Sequence, residues 1–284
     1  MGSTASKGPA IRAATAPPWA VNAALRALAN RRPRGAELNF RADEPWEVPL
    51  SIIQAPRVIN KLIAGIPPKD RARLLAKCEQ VDLVFGDRLS EVDKPIEYVY
   101  FPLAGFISLV ATLDGHQPLE MGLVGNEGML GATLKLGVNT APMRAVVQGT
   151  GTALRMTGPN FTRFVGHTPA MFRILDRYLY VMMAQLTRSS ACTRFHEIEP
   201  RLARWLLMTH DRAHADHFHL THQFLADMLG VRRSGVSIAA GALQLRKLIR
   251  YSRGEIRILN RKGLEAVSCA CYDATLQDYA DVLG

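Results

Sequence analysis

The spacing of apolar residues separates a strand-forming half of the chain from a helix-forming half. Between residues 81 and 156, apolar and polar positions alternate or form short apolar runs, as at 98–101, 106–110 and 144–147. Glycines and an Asp-Gly pair interrupt these runs at short intervals. Several short strands separated by turn residues predict a small barrel or sandwich. Ahead of it, the patterns at 53–66 and 68–78 predict two short helices.

After Pro169 the apolar period becomes helical. The alternating three- and four-residue spacing of a coiled-coil seam connects five apolar positions: Phe172, Leu175, Leu179, Met182 and Leu186. A second apolar row lies beside this seam. The pattern predicts a helix over 169–194 that packs on its own domain and, through the seam, on a second copy of the chain. A helix that serves only its own core is the alternative.

Two helices joined by a glycine are predicted between residues 221 and 248. The hydroxyl of Thr221 can accept a free backbone N–H at the start of the first helix. Gly230 lies where a tight turn between helices needs a positive φ angle. The second helix is expected over 234–248, followed by a strand, a turn and a strand over 248–259.

Positive charge is concentrated in the same segment. The chain has 284 residues and a formal net charge of +10, and residues 221–262 contain nine Lys or Arg against two acids. A helix pair with a basic second helix and a basic hairpin favours DNA binding over a plain helical pair. The expected DNA-binding residues are Thr221, Gln223, Arg232, Arg233, Ser234 and Ser237, with Arg253 on the phosphate backbone.

Five segments resemble the Crp/Fnr-type regulators, the catabolite activator family. They are EYVYFPLAGFISLV (97–110), VGNEGMLG (124–131), PRLARWLL (200–207), LTHQFLADMLGVRRSGVSIAAGAL (220–243) and LIRYSRGEIRIL (248–259). The resemblance implies an α+β protein with a cyclic-nucleotide-binding-like β-roll (jelly-roll), a long dimerisation helix and a C-terminal winged helix-turn-helix. The implied domains are a flexible basic arm (1–48), the sensor (49–168), the dimerisation helix (169–198), the DNA-binding domain (199–268) and a C-terminal tail (269–284).

The resemblance also shows where this sequence departs from the cyclic-AMP-binding members. In those proteins a Glu beside a glycine contacts the ribose, and an Arg followed by a small hydroxyl residue contacts the phosphate. Here Gly131 matches the glycine but Ala132 replaces the Glu, and Arg144 matches the Arg but is followed by Ala145. Ligand contacts are expected at Gly131, Arg144 and, on the long helix, Thr187, with an unknown effector other than cyclic AMP. Ordinary structural roles for Arg144 and Thr187 are the alternatives.

The recognition helix departs from the family pattern as well. Arg233 falls on the family's usual base-reading Arg, whereas Ser234 replaces a Glu and Ile238 replaces a second Arg. The preferred operator should therefore differ from the common half-site of the family.

Cysteine and histidine spacing predicts no metal site. The four cysteines form no Cys-x-x-Cys pair, and Cys269 and Cys271 are closer together than in a usual zinc knuckle. The lack of a cysteine before Cys78 argues against the iron–sulfur cluster of the oxygen-sensing branch. Five histidines between residues 210 and 222 are interpreted as a polar linker, with metal binding or a pH response as the alternative.

These patterns predict a homodimeric, cytoplasmic regulator that binds double-stranded DNA, with RNA polymerase as a further candidate partner and activation or repression left open. No cofactor and no membrane partner are expected, since no run of 18 apolar residues occurs. Catalytic patterns are missing, and Asp211 beside His210 is the nearest candidate for an enzyme. The alternative is a small-molecule or cyclic-nucleotide-responsive sensor in which DNA binding is secondary. Residues 1–36 contain no acid, a composition shared with organellar transit peptides.

Overall fold

The computed structural model describes residues 60–114, 116–213 and 215–284. The predicted basic arm and the first half of the predicted helix at 53–66 lie outside these residues. Two short helices, α1 (Lys61–Ala64) and α2 (Pro68–Leu75), come first. The buried Asn60 holds α1 in place, because its side-chain oxygen accepts from the first backbone N–H groups of the helix while its amide donates to the carbonyls of Pro102 and Gly128.

An antiparallel sheet forms the domain that the sequence predicts to be a sensor, and it keeps the label sensor domain. Its strands are β1 (Glu79–Leu83), β2 (Arg88–Ser90), β3 (Tyr98–Ala111), β4 (Leu119–Val124) and β5 (Arg144–Thr157). The order of neighbours is β1-β5-β3-β4, and β2 also pairs with β5. The two apolar runs at 98–101 and 106–110 belong to one strand, β3, whose pairing with β5 shifts register between Pro102 and Ile107. These bulges bend the long strands. The α+β fold class predicted from the sequence is confirmed.

A short helix and then the long helix follow the sheet. A short helix, α3 (Gly158–Gly166), leads into α4 (Pro169–Phe195), whose 27 residues match the predicted span to within one residue. The side of α4 that faces the sensor core carries Met171, Leu175 and Tyr178, all fully buried. The Tyr178 hydroxyl lies 3.0 Å from both the backbone N–H and the carbonyl of Met129, so hydrogen bonds as well as packing fix α4 to the loop that follows β4.

A helical domain with its own small sheet follows α4. Its elements are α5 (Ile198–Ala213), β6 (His217–His219), α6 (His222–Leu229), α7 (Arg233–Leu245), β7 (Ile249–Ser252), β8 (Glu255–Ile258) and α8 (Arg261–Val267). The prediction for the second helix of the pair was too long: α7 ends at Leu245 because Lys247, with φ +57°, reverses the chain into β7. The interpretation of the histidine-rich segment as a linker is wrong for its centre, because His217–His219 form β6 and pair with β8. Its alternation is that of a strand: Phe218 packs on the core, and His217 and His219 are exposed.

The last described segment is a helix, where a tail was expected. It is α9 (Cys271–Leu283), and it packs along α4. Arg188 of α4 forms an ion pair with Asp278, and the Tyr279 hydroxyl donates to Gln185 at 3.4 Å. Tyr279 also packs against the sensor core. The expectation failed because this segment is stabilised by contacts with a helix about 90 residues away, which local patterning does not reveal.

The sensor domain and the C-terminal domain share a packed boundary. Phe106 and Leu123 of the sheet lie in the same apolar cluster as Leu206 and Leu225 of the helical domain. Among the described helices, none combines the length with the apolar character that crossing a bilayer requires.

Candidate nucleic-acid interface

The α6–α7 pair has the turn geometry that the sequence predicts. The Thr221 hydroxyl accepts from the Phe224 backbone N–H at 3.1 Å and so caps α6. Gly230 ends α6 in the left-handed region, with φ +63°. A Cβ at this position would lie 2.8 Å from Leu119 of β4, so the turn needs glycine for its conformation and for its close approach to the sensor domain.

The two faces of α7 differ in polarity. Val236, Ala239, Ala240 and Leu243 are buried against the domain core. On the opposite face lie exposed residues one and two turns apart: Arg233, Ser234, Ser237, Ile238 and Gly241. No side chain caps the first turn, since the N-cap is the exposed Arg232. The free N–H groups of this turn and its arginines give the N-terminus of α7 a positive electrostatic potential. Such a helix N-terminus suits contact with the phosphates and base edges of DNA.

The hairpin between β7 and β8 presents a strained arginine at its tip. Both residues of its two-residue turn have positive φ, +51° at Arg253 and +85° at Gly254, as a type I′ hairpin turn requires. An arginine in this region costs about 1 kcal/mol or more relative to relaxed backbone. The strain places the exposed Arg253 at the apex of the hairpin, beside the exposed face of α7.

A cleft between the hairpin and the helix pair connects these groups. It is lined by Thr221, His222, Gln223, Arg233, Tyr251 and Arg253. The His222 ring stacks on Tyr251 with 4.2 Å between centroids, and its Nδ1 lies 2.8 Å from the Ser237 hydroxyl. Burial, together with the charge of Arg233, lowers the pKa of His222. His222 is therefore neutral at pH 7 and does not add to the charge of the cleft.

The predicted DNA-binding residues divide into two groups. Arg232, Arg233, Ser234, Ser237 and Arg253 are exposed on the surface that includes the start of α7 and the hairpin tip. By contrast, Thr221 and Gln223 are half-buried and engaged locally, with the Gln223 amide donating to Asp227 at 2.9 Å. The sequence did not indicate that His222 and Tyr251 line this cleft, although the cluster of histidines drew attention to the segment.

Only part of the predicted dimer seam is exposed to a second copy of the chain. Leu175 is fully buried in the core of its own chain, so it is not exposed to a second copy, which corrects the prediction. The other seam positions keep accessible surface: Phe172 is exposed, and Leu179, Met182 and Leu186 are half-buried. The exposed Met183 extends this strip on the same side of α4.

The sensor domain contains a small, mostly apolar cavity. Its wall includes Gly131 and Ala132, together with Leu109, Met129, Met143 and Met182. Neither Arg144 nor Thr187 lines it. The Arg144 guanidinium donates to the Glu91 carboxylate at 2.7 Å, and Thr187 lies exposed on α4. The structure therefore brings together only one of the three predicted ligand contacts.

A carboxyl group lies at the boundary between the two domains. Glu120 of β4 accepts from the Ser108 hydroxyl at 2.5 Å and from the Trp205 indole N–H of α5 at 2.8 Å. Burial raises the pKa of Glu120 to about 7, against the opposing effects of these hydrogen bonds and of Arg204 and Arg212. Arg212 itself pairs with Glu127 of the sensor domain at 2.7 Å, so the boundary is polar as well as apolar.

Two histidines of the segment 210–222 contact carboxylates of their own domain, and among its described residues no metal-ligating group converges. His210 Nε2 lies 2.9 Å from Asp216, and His219 Nδ1 lies 2.6 Å from Glu255. His214 lies outside the described residues. Asp211, the nearest catalytic candidate, accepts from Tyr272 and pairs with Arg261, as a structural carboxylate would.

The fold and this surface define a class of protein: a β-roll joined by a long helix to a winged helix. Residues 200–267 match the family of the Crp-like helix-turn-helix domain. The sequence matches no curated protein.

Three solved structures with this fold illustrate the likeness. FixK2 from Bradyrhizobium japonicum is 17% identical, with a TM-score of 0.58 over 68% of this chain and 98% of that one. CLP, a c-di-GMP-responsive global regulator from Xanthomonas campestris, is 16% identical, with a TM-score of 0.56 over 68% and 99%. A CRP/FNR-family transcriptional regulator from Thermus thermophilus is 22% identical, with a TM-score of 0.53 over 67% and 98%. Residues 200–267 are similar to Crp-like helix-turn-helix domains and the chain has the fold of Crp/Fnr-type regulators, so the resemblance in its sequence motifs is confirmed.

Proposed function

We propose that the protein is a sequence-specific DNA-binding transcription regulator. The observation that supports this best is the exposed, basic start of α7 beside the strained arginine at the hairpin tip. A helix fits the major groove of B-DNA, where each base pair presents a distinct set of donors and acceptors. The hairpin next to it reaches the phosphates, which fix register without reading sequence.

The exposed residues of α7 suggest how bases would be read. Arg233 at the first turn suits bidentate contact with a guanine, and Ser234 and Ser237 suit adaptable contacts. Ile238 is 75% exposed, although apolar side chains of this size are usually buried. An exposed isoleucine on a base-reading face suits contact with a thymine methyl group. The operator should accordingly contain a guanine and a thymine in each half-site.

The accessible apolar strip on α4 supports a homodimer. Phe172, Leu179, Met183 and Leu186 lie on one side of the helix, and Phe172 is also contacted by the Lys135 ammonium, 3.9 Å from its ring centre. Two copies joined along α4 would present two recognition helices, which requires an operator with inverted half-sites about one helical turn apart. The regulator would act in the cytoplasm, with RNA polymerase as its further partner.

The cavity of the sensor domain favours an effector other than cyclic AMP. Its wall is mostly apolar, Ala132 supplies no ribose contact, and Arg144 is paired with Glu91. A cyclic nucleotide would need both a ribose partner and an unpaired cation for its phosphate. Thermal-shift measurements with cyclic nucleotides test this directly. A large stabilisation by cyclic AMP would contradict it.

The DNA-binding proposal is tested by selection from random duplexes, followed by mobility shifts at several salt concentrations. We expect enrichment of an inverted repeat and an affinity that falls steeply with salt, because cationic side chains displace counterions from the phosphates. Selection without an enriched motif, or a shift that does not depend on salt, would overturn the proposal. The alternative, a sensor in which DNA binding is secondary, would instead show ligand stabilisation without sequence preference.

A further inference from the structure

Three cysteines and a histidine from distant parts of the chain meet where α4 ends and α9 begins. Cys192 and His196 lie one helical turn apart at the end of α4, and Cys269 and Cys271 lie at the start of α9. The three sulfur atoms and the ring nitrogen all lie within 4.8 Å of one another. In the part of the chain that the structure describes, this is the only group of three or more His, Cys, Asp or Glu with such spacing.

The spacing of the donor atoms matches the edges of a coordination tetrahedron. Bonds of about 2.3 Å from zinc to sulfur and about 2.0–2.1 Å to nitrogen give edges of about 3.8 Å between sulfurs and about 3.5 Å between sulfur and nitrogen. The distance from Cys192 Sγ to Cys269 Sγ is 3.6 Å. His196 Nδ1 lies 3.5 Å from the sulfur of Cys192 and 3.5 Å from that of Cys271. A disulfide, in contrast, would need its sulfurs at about 2.05 Å.

We propose that Cys192, His196, Cys269 and Cys271 bind one zinc ion in a closed, structural site. Three thiolates and an imidazole are a donor set that selects Zn²⁺, and four protein ligands leave no open position for catalysis. The three cysteines are buried, with 2%, 6% and 8% of their surfaces exposed, while His196 is exposed and leaves a path for the ion. The site was missed in the sequence because its two ligand pairs are separated by more than 70 residues.

The surroundings of the four ligands suit a site of this charge. Zinc with three thiolates carries a net charge of −1. The positive charge of Arg204 favours the thiolate form of all three cysteines. Arg201 likewise attracts the thiolates of Cys192 and Cys269. Buried or half-buried arginines next to thiolates offset the charge that burial would otherwise penalise.

Backbone hydrogen bonds hold the ligands in position. The Cys269 N–H donates to the carbonyl of Pro200 at 3.3 Å, and the Thr275 hydroxyl donates to the carbonyl of Cys271 at 2.7 Å. Such outer contacts orient metal ligands and raise their affinity. Through Pro200, the site is connected to the first turn of α5, which follows α4 directly.

A metal at this place would fix the DNA-reading domain relative to the dimer helix. The ligands join the end of α4 to the segment that leaves the winged helix, and Arg201 beside them donates to the carbonyl of Leu229 at the end of α6. The ion therefore would hold the short connection between α4 and α5 in one arrangement. This consequence rests on the proposed function, whereas metal binding itself does not.

The test is metal analysis of the full chain, purified without a histidine tag and under reducing conditions. We expect one zinc per chain, released by chelator with loss of thermal stability. Cobalt added to the metal-free protein should give the intense visible bands of tetrahedral Co²⁺ and a sulfur-to-cobalt charge-transfer band. Folded protein that takes up neither zinc nor cobalt would overturn the proposal. So would a mass two units lower in protein trapped directly from cells, which would show a disulfide.

Matched variants assign the ligands. Cys192→Ser and Cys269→Ser should lose stoichiometric metal, while Cys78→Ser, a cysteine outside the cluster, should retain it. If the cysteine variants do not fold, His196→Gln replaces an exposed ligand and should shift the cobalt bands and weaken binding at least tenfold. Unchanged spectra in His196→Gln and in every soluble cysteine variant would refute the assignment. These readouts use no DNA, so failure to bind metal and failure to bind DNA are distinguished.

Discussion

Two arginines on the proposed DNA-binding surface are held by different local structure. Arg233 begins α7, where helical φ and ψ angles impose no strain and its side chain is exposed. Arg253 lies in a hairpin turn with φ +51°, a conformation that Asn or Gly adopts at lower cost. The strain at Arg253 indicates that its position, rather than its contribution to stability, accounts for the residue there.

Replacing Arg233 with Ala should relax base preference. We expect a loss of about 1–3 kcal/mol on the preferred operator and a much smaller loss on random duplex, because a bidentate contact with guanine is removed. Fluorescence anisotropy with the selected operator and a scrambled duplex measures the difference. An equal loss on both would mean that Arg233 contacts phosphate instead.

Replacing Arg253 with Asn should weaken binding and raise stability. Asn tolerates positive φ, so we expect a gain of up to about 1 kcal/mol in unfolding free energy. Loss of one phosphate contact should weaken binding alike on all duplexes and lower the salt slope by about one. Lys69→Asn, which removes an exposed charge from α2 in the sensor domain, is the matched control. A preference for particular operators in the Asn variant would contradict the backbone assignment.

At the residue scale, the sequence predicted those features that depend on neighbouring residues. The cap of Thr221 and the turn at Gly230 follow from contacts within a few positions. The pairing of Arg144 with Glu91 could not be predicted, since it joins residues 53 positions apart. The same reason explains why the sequence did not reveal that Cys269 and Cys271 lie beside Cys192 and His196.

At the element scale, helix α4 shows which properties a periodic pattern determines. Its span was predicted to within one residue, because the apolar period becomes helical directly after Pro169. Its orientation was predicted less well. Two apolar rows compete for the core, and Leu175 was assigned to the wrong one because only tertiary packing shows which row faces the sheet.

If the proposed dimer forms along α4, replacing Leu179 with Asp should convert it to a monomer. Leu179 lies at the centre of the accessible strip of α4 and is only half-buried within its own chain, so a charge there should disrupt pairing more than folding. Light scattering coupled to size exclusion measures the mass. Arg173→Asp places the same charge at an exposed position outside the strip and should leave the mass unchanged. A dimeric Leu179→Asp variant would locate the interface elsewhere.

The contact between β4 and α5 should make stability depend on pH. Burial raises the pKa of Glu120 to about 7, above its ordinary value in an unfolded chain. The folded state therefore binds a proton more tightly, and the stabilisation from this group is complete below about pH 4 and is lost as pH rises to about 7. Glu120→Gln keeps an acceptor for Trp205 and removes the titration.

Thermal melts between pH 5 and 8 measure this effect. The midpoint of the wild type should fall across this range more than that of Glu120→Gln, and the variant should be the more stable protein at pH 8. Glu97→Gln, at an exposed carboxylate, should behave as the wild type does. Parallel curves for the wild type and Glu120→Gln would show that Glu120 is ionised in the folded protein.

At the scale of the whole molecule, the order of the domains was predictable and their mutual contact was not. Each domain has a local period, strand-like or helical, that its own residues impose. The shared boundary joins Phe106 and Leu123 of the sheet to the core of the winged helix, and it places Leu119 against the Gly230 turn. No local pattern distinguishes an apolar residue that faces its own domain from one that faces the next.

Helix α9 has a consequence for how the chain is assembled during synthesis. It packs on α4 through contacts between residues as much as 94 positions apart, so α4 leaves the ribosome well before the helix that covers it. Domains fold in the order in which they emerge. Until α9 has emerged and packed, the side of α4 that carries Gln185 and Arg188 stays uncovered. The final surroundings of α4 therefore depend on residues made about 90 positions later.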